Sequence, residues 1–364
     1  MIPVSRQGDE ACVDPVEVLV IEPIADADLK RIMAVDPRLR VVDARGWFDA
    51  EIRETWPAWS VQRYLAERPS PSNSQAERDR VLASAEIILG GWPFPFELLR
   101  RAPRLRWFHQ RPAGASNLQR SDLWGSDVLV TTSRAHAEIR PIAEYVLAMF
   151  LHFSRGLHRA CIDRSRDRFD YRAYRPVLLK GKTVCVIGAG GIGRELGRLC
   201  ADLGMRVVGT RNRVPPGSVN PPGFDKLCEA GEMLQLLGES DFVAVCCQWT
   251  AATDKLIGAE AFAAMRQETV LVNVARGEIV DEEALLAALE EGKLRGVGLD
   301  VYVGEFEHAP DSRLWQHDRV LITPHVSGGT DRPFHRGIEL FCENLRAYLK
   351  GEPLTNLIDW ERGY

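Results

Sequence analysis

TVCVIGAGGIG, residues Thr183–Gly193, is the stretch whose reading decides the fold. An apolar β-branched run, Val184, Val186 and Ile187, ends in Gly188-x-Gly190-x-x-Gly193, and a helical pattern, RELGRLCADLG, follows at once. A dinucleotide pyrophosphate needs that order. Gly188 permits a tight turn, Gly190 lets the backbone approach the phosphates, and Gly193 lets helix and strand pack closely. With Gly191 and Ile192 they form the candidate cofactor turn, and the helix N-terminus adds N–H donors and a positive dipole end.

The next strand selects the cofactor. In an NAD site a carboxylate stands at its end, about 20 residues on, and accepts from the ribose 2′-OH. Here the strand reads Met205-Arg206-Val207-Val208-Gly209 and runs into Thr210-Arg211-Asn212-Arg213, with no carboxylate. A guanidinium pairs with the 2′-phosphate of NADP, which an aspartate would repel. Thr210, Arg211 and Arg213 are the candidate ribose-side residues, and NADPH is expected, with NAD possible. As plain solvated loop charges the two arginines would carry no such preference.

At 364 residues the chain is too long for one ordinary core, so two domains are expected. Its 45% hydrophobic and 27% charged content is that of a soluble globular protein, and a net charge of −5 predicts neither nucleic acid nor anionic membrane as partner. The eight cysteines show no C-x-x-C spacing, and Cys185, Cys200 and Cys246 fall in apolar runs. They suit small buried hydrophobes in a reducing compartment. The N-terminus lacks a basic-then-apolar signal and no run reaches membrane-span length, so a cytoplasmic location is the expectation.

Working outward, residues 1–15 read as a loose polar arm. A strand (16–21), a helix opened by Asp26 or Asp28, and a second strand (39–43) follow. Residues 46–80 read as irregular, with three tryptophans and the loop-like RPSPSNSQ. Strand signals return at 86–89, 105–109 and 128–131. A segment starting at Pro141, PIAEYVLAMFLHFSRGLHRA, repeats its apolar positions at three and four and predicts one long helix. Beyond the glycine turn, strands are expected at 242–246, 269–274, 296–301 and 320–323, and a last helix, RGIELFCENLRAYLKG, packs back on the first domain. The predicted fold is α/β, with two doubly wound parallel-sheet domains. A Rossmann dinucleotide-binding domain, 140–325, is inserted into a flavodoxin-like substrate domain, 1–139 plus 326–364.

Three segments stand at C-terminal ends of predicted strands, where open parallel sheets hold their ligands. They are Val272-Asn273-Val274-Ala275-Arg276-Gly277, Gly298-Leu299-Asp300-Val301-Tyr302-Val303-Gly304-Glu305, and Ile322-Thr323-Pro324-His325-Val326-Ser327-Gly328-Gly329. With the glycine fingerprint, and in this order, the chain from about residue 85 onward resembles the D-2-hydroxyacid dehydrogenase family, glyoxylate and hydroxypyruvate reductases of its NADP-preferring branch in particular. Reduction of a 2-keto acid requires the carboxylate to be held, the carbonyl to be polarised and a proton to reach oxygen. Arg276 suits the first two, since a planar guanidinium can address both oxygens, and the family's catalytic arginine matches it. His325 suits the third. The resemblance implies that Glu305 pairs with His325 and favours its protonated form; relatives usually have proline next, here Phe306, and Glu307 is the alternative. Asp300 stands where relatives contact the nicotinamide carboxamide, or else is a strand-end cap.

The resemblance also implies that backbone N–H groups of Ala113 and Gly114, in RPAGASN, meet the substrate carboxylate; Ser116 stands where many relatives carry aspartate. Cys247-Gln248-Trp249-Thr250 departs from the relatives' L-P-x-T. His109 and His136 are further candidates for lining the cleft, whereas His152, His158, His308, His317 and His335 read as surface or core residues. No set has metal-ligand spacing, and no metal is expected. Relatives are usually homodimers, with the 156–176 segment crossing to the neighbour, where Phe169, Tyr171 and Tyr174 would cap its cleft. The expected activity is a 2-keto acid reductase for glyoxylate or hydroxypyruvate. The alternatives are a dinucleotide-sensing, corepressor-like binding protein and a formate dehydrogenase-like enzyme.

Overall fold

The computed structural model describes residues 15–65, 71, 73–134, 139–331 and 335–363. The expected N-terminal arm apart from Pro15, His136, and part of RPSPSNSQ lie outside them. The described residues divide into two units, one within 1–56, 61–134 and 335–360, the other within 57–60, 135–334 and 361–364.

The first unit is built on five parallel strands: Val16–Val20 (β1), Leu39–Asp43 (β2), Ile87–Gly90 (β3), Trp107–Gln110 (β4) and Leu129–Thr132 (β5), in the order β2-β1-β3-β4-β5. β3 and β4 are buried at every residue, because a parallel sheet is covered on both faces. On one face Ile338, Phe341 and Leu345 of the C-terminal helix Arg336–Lys350 pack on Val18, Val20, Leu89 and Trp107. The expectation that this helix returns to the first domain is met.

The other face corrects the reading of 46–80 as irregular. It carries helices Asp49–Thr55 and Gln75–Ser84, and between them in sequence runs a third helix, Ala58–Tyr64. Gln75–Ser84 opens on a capping box in which Ser74 and Glu77 satisfy each other's backbone N–H groups, a local signal that the sequence reading passed over. Trp56 is buried, its indole N–H donating to the Phe94 carbonyl at 2.8 Å, with its ring stacked on Phe96. That tryptophan is core.

The second unit holds seven parallel strands: Thr183–Ile187 (β6), Arg206–Arg211 (β7), Lys226–Glu229 (β8), Phe242–Val245 (β9), Thr269–Asn273 (β10), Leu294–Leu299 (β11) and Val320–Ile322 (β12). Their order is β12-β11-β10-β9-β6-β7-β8, so the winding reverses beside β6 and opens a crevice at the C-terminal strand ends there. β8 is an unexpected edge strand. In KLCE only Cys228 is buried, too little apolar pattern to register in sequence.

The long helix from Pro141 is two helices, Ile139–Ser154 and Leu157–Ser165, because Gly156 between them sits at φ +73°. The long second-unit segment falls between 134 and 335, where 140–325 was expected, and the short segments 57–60 and 361–363 also fall to the second unit. Past His325 it is retained in the second unit by N–H bonds from Val326 and Ser327 to Asp300. Among the described residues no helix is long and apolar enough to cross a membrane.

Candidate active site

The glycine turn follows β6 at the reversal of strand order. Gly188 sits at φ +95°, and a Cβ there would meet Cys247 backbone at 2.6 Å. A Cβ on Gly193 would lie 2.4 Å from the Gly188 carbonyl oxygen, so both positions exclude any larger residue. A Cβ on Gly190 would meet nothing within 4 Å: the space above it is open. Helix Gly191–Asp202 begins there, so first-turn N–H groups around Gly191, Ile192 and Gly193 point into that opening. Gly188 and Ala189 donate to the Thr210 carbonyl at 3.1 and 2.8 Å, fixing the turn to the end of β7. Thr210 itself is buried. Arg211 and Arg213 are exposed, and neither guanidinium has a hydrogen bond or ion pair among the described residues. These residues fit a dinucleotide cofactor.

His325 follows β12. Its Nδ1 lies 3.0 and 3.1 Å from the two carboxylate oxygens of Glu305, which is only 3% exposed. A carboxylate can only accept, so Nδ1 carries the hydrogen and Nε2 is left for other partners. Glu307 is exposed, so it is not the partner. His325 has φ +53°, a conformation that costs a non-glycine residue energy. Asp300, fully buried at the end of β11, supplies the opposing force. Its Oδ1 accepts from the Thr323 hydroxyl at 2.6 Å and the Val326 N–H at 2.8 Å, and its Oδ2 from the Ser327 N–H at 2.9 Å. The Tyr145 hydroxyl extends this chain to Thr323 at 2.5 Å. With both oxygens bonded and no exposed surface, Asp300 caps the strand and holds the His325 loop, which favours the strand-end cap over the cofactor contact among the two expectations.

Arg276 follows β10 and is half-buried. Asn273, fully buried, holds this loop by accepting from the Ala275 N–H and donating to the Arg276 carbonyl, at 3.0 and 2.8 Å. A Cβ on Gly277 would fall 2.0 Å from the Tyr302 carbonyl carbon, so the Arg276 and Glu305 loops touch backbone to backbone. Glu278 was missed by the sequence reading. Burial first, and the nearby Glu305 charge in addition, push its carboxyl up, while Arg276 opposes the rise. Its position directly after Arg-Gly was the available signal. Thr323 and Tyr145 were also missed as holders of the His325 loop. Nothing in a helical pattern marks one tyrosine as a loop anchor.

In the first unit, Ala113 and Gly114 lie in the loop after β4, where the Gln110 side-chain amide donates to the Gly114 carbonyl. His109 does not line a cleft. It is fully buried, Nδ1 lying 2.8 Å from Thr131 Oγ1, and desolvation alone pulls its imidazole down to about 3. His335 bonds Asp28, and His152 and His158 sit against Phe153. Burial pushes the Cys185 and Cys200 thiols up to about 12, as small core hydrophobes.

Residues 147–327 match the model of the D-isomer specific 2-hydroxyacid dehydrogenase NAD-binding domain. The chain is 26% identical over 277 residues to D-3-phosphoglycerate dehydrogenase of Methanocaldococcus jannaschii, covering 76% of itself and 52% of that protein. It therefore spans about half the length of that relative. To glyoxylate reductase of Korarchaeum cryptofilum it is 30% identical, covering 74% of itself and 80% of the relative. Among solved structures, a D-isomer specific 2-hydroxyacid dehydrogenase from Xanthobacter autotrophicus Py2, in complex with NADPH and MES, superposes with a TM-score of 0.73 at 26% identity, over 97% of this chain and all of the other.

Proposed function

The chain belongs to the D-isomer specific 2-hydroxyacid dehydrogenase family, whose members are NAD(P)-dependent oxidoreductases acting on CH–OH groups, and from that premise we propose that it reduces a small 2-keto acid, glyoxylate or hydroxypyruvate, with NADPH preferred. The observation that carries the reading is the buried Glu305 carboxylate on His325 Nδ1. It fixes the ring and leaves Nε2 to deliver a proton. The unpaired guanidinium groups of Arg211 and Arg213 support NADP over NAD.

A reduced dinucleotide held through its pyrophosphate by the turn Gly188–Gly193 would supply the hydride for the carbonyl carbon. The protein's own part is electrostatic and protic. Arg276 holds the substrate carboxylate and stabilises negative charge growing on the carbonyl oxygen. His325 Nε2 gives that oxygen its proton, leaving the 2-hydroxy acid and a neutral imidazole. Glu305 stabilises the imidazolium before transfer and keeps the ring oriented afterwards. In the reverse direction His325 is the base.

Phe169 is fully exposed and Tyr171 91% exposed, and Leu157 and Leu178 of the same stretch of chain are exposed too. Exposed apolar residues of this size suit cover by a second copy of the chain, so the reading includes a homodimer. Light scattering tests it, and a monomer at micromolar concentration removes it. The activity is tested by following NADPH and NADH oxidation with 2-keto acids of increasing chain length. Turnover with glyoxylate or hydroxypyruvate, lost in His325→Gln, is expected. No turnover of any 2-keto acid with either cofactor sinks the reading.

A further inference from the structure

We propose that Trp59 and Ser60 are positioning residues for the Glu305–His325 pair, a role that rests on the reading of that pair given above. The segment Pro57–Ser60 belongs to the second unit, although the residues on both sides of it belong to the first. It is seated on the turn that carries the acid. The Trp59 indole N–H donates to the Glu305 backbone carbonyl at 2.9 Å. Ser60, fully buried, donates its hydroxyl to the carbonyl of Phe306.

Two successive peptide groups are thereby held from outside the turn. A peptide is planar, so fixing the carbonyls of 305 and 306 fixes two planes and the dihedrals of Phe306 between them. The residue before, Gly304, sits at φ +72° and is the natural place for the turn to swing. From within, the Glu305 N–H donates to the Tyr302 carbonyl at 3.2 Å. The Phe306 ring lies 6.3 Å from the His325 imidazole. The clamp therefore sets both the carboxylate on Nδ1 and the aromatic face beside the ring.

Trp56 provides the contrast. It is 4% exposed and packs among Trp92, Phe94 and Phe96, whereas Trp59 is only partly buried. What distinguishes Trp59 is where its N–H points.

Trp59→Phe keeps an aromatic ring and removes the donor, and Ser60→Ala removes the other. Each should lower kcat about tenfold, and the pair further, with cofactor KM unchanged, because misplacing a catalytic group by a fraction of an ångström costs about that much. The second readout is the nitrogen-15 spectrum of His325 in the protein without substrate. Recorded at a pH where the ring is neutral, the wild type should carry its hydrogen on Nδ1 alone, and the double variant should show a mixture of tautomers. Trp56→Phe is the control, expected to lower Tm while leaving the His325 spectrum as it is. The proposal is overturned if the double variant keeps the wild-type tautomer and kcat, or loses kcat only in proportion to its folded fraction. Because the spectrum needs no substrate, it still decides this proposal if every keto acid fails in the activity assay.

Discussion

Asp300→Asn separates the holding of the His325 loop from contact with the cofactor. In the native protein the two main-chain donors sit on different oxygens, Val326 N–H on Oδ1 and Ser327 N–H on Oδ2. An asparagine side chain presents one oxygen and one NH2, so either flip leaves a backbone N–H facing another donor. A hydrogen bond to a charged acceptor contributes about 1.5–3 kcal/mol, and a buried donor left unsatisfied costs about 1–3 kcal/mol. The variant thus loses about 3 kcal/mol or more from a site that is fully buried. Holding a non-glycine residue at positive φ costs about 1–3 kcal/mol, so the balance that keeps His325 at φ +53° reverses. The loop should relax and the imidazole leave Glu305. Steady-state kinetics should show kcat down about a hundredfold with cofactor Kd within about twofold of wild type. Thermal unfolding should show Tm down by about 6–12 °C, taking about 2–4 °C per kcal/mol for a unit of this size. If the variant does not fold, Thr323→Val removes one donor more gently and should lower kcat in the same sense. Wild-type kcat with weakened cofactor binding would refute the reasoning and return Asp300 to the cofactor.

Arg211→Asp should shift the NADPH/NADH ratio of kcat/KM by more than about tenfold toward NADH, since it replaces a phosphate partner by a like charge; an unaltered ratio assigns the choice to another residue. Gly193→Ala puts a methyl group 2.4 Å from the Gly188 carbonyl oxygen, so cofactor titration should show affinity at least about tenfold weaker and calorimetry a lower Tm; full affinity would mean that helix and strand have slack. His109 is neutral in the fold, pulled by burial to about 3 from an ordinary value of 6.5, so only the unfolded chain takes its proton as pH falls between those values. Its depressed titration stabilises the fold above the upper value and is lost progressively below it, by about 2 kcal/mol at about pH 5. His109→Gln should flatten urea-derived stability over that range, and an unchanged slope would contradict the burial argument.

What the sequence disclosed is what local chemistry determines. The glycine turn was legible because each glycine answers a separate steric demand, seen here at Gly188 and Gly193. Most strands were legible because parallel strands are apolar along their whole length, and β8, with a single buried residue, was not. Glu305 and His325 could be named from strand ends and resemblance, yet the rivalry with Glu307 ended only with burial and a 3.0 Å contact. The helices within 46–80 were missed although Ser74 and Glu77 announce one of them. The part played by Trp59 was illegible in principle. Its bond spans 246 positions of sequence, and no local pattern encodes a partner that far away.

The two buried acids beside His325 are held differently because they face different chemistry. Asp300 is bonded to two peptide N–H groups and a hydroxyl, donors whose charge does not change during turnover, so its hold on the loop is constant. In the proposed reaction Glu305 faces the group that gains and loses a proton in each cycle. A charge-assisted hydrogen bond is about twice as strong as a neutral one, so the bond on Nδ1 weakens each time the imidazole gives its proton away. A carboxylate positioned by that bond alone would drift at the moment it must wait for the next proton. The backbone carbonyls of Glu305 and Phe306 are instead fixed by an indole and a hydroxyl that do not titrate, Trp59 and Ser60, so the acid keeps its place through both charge states of the histidine.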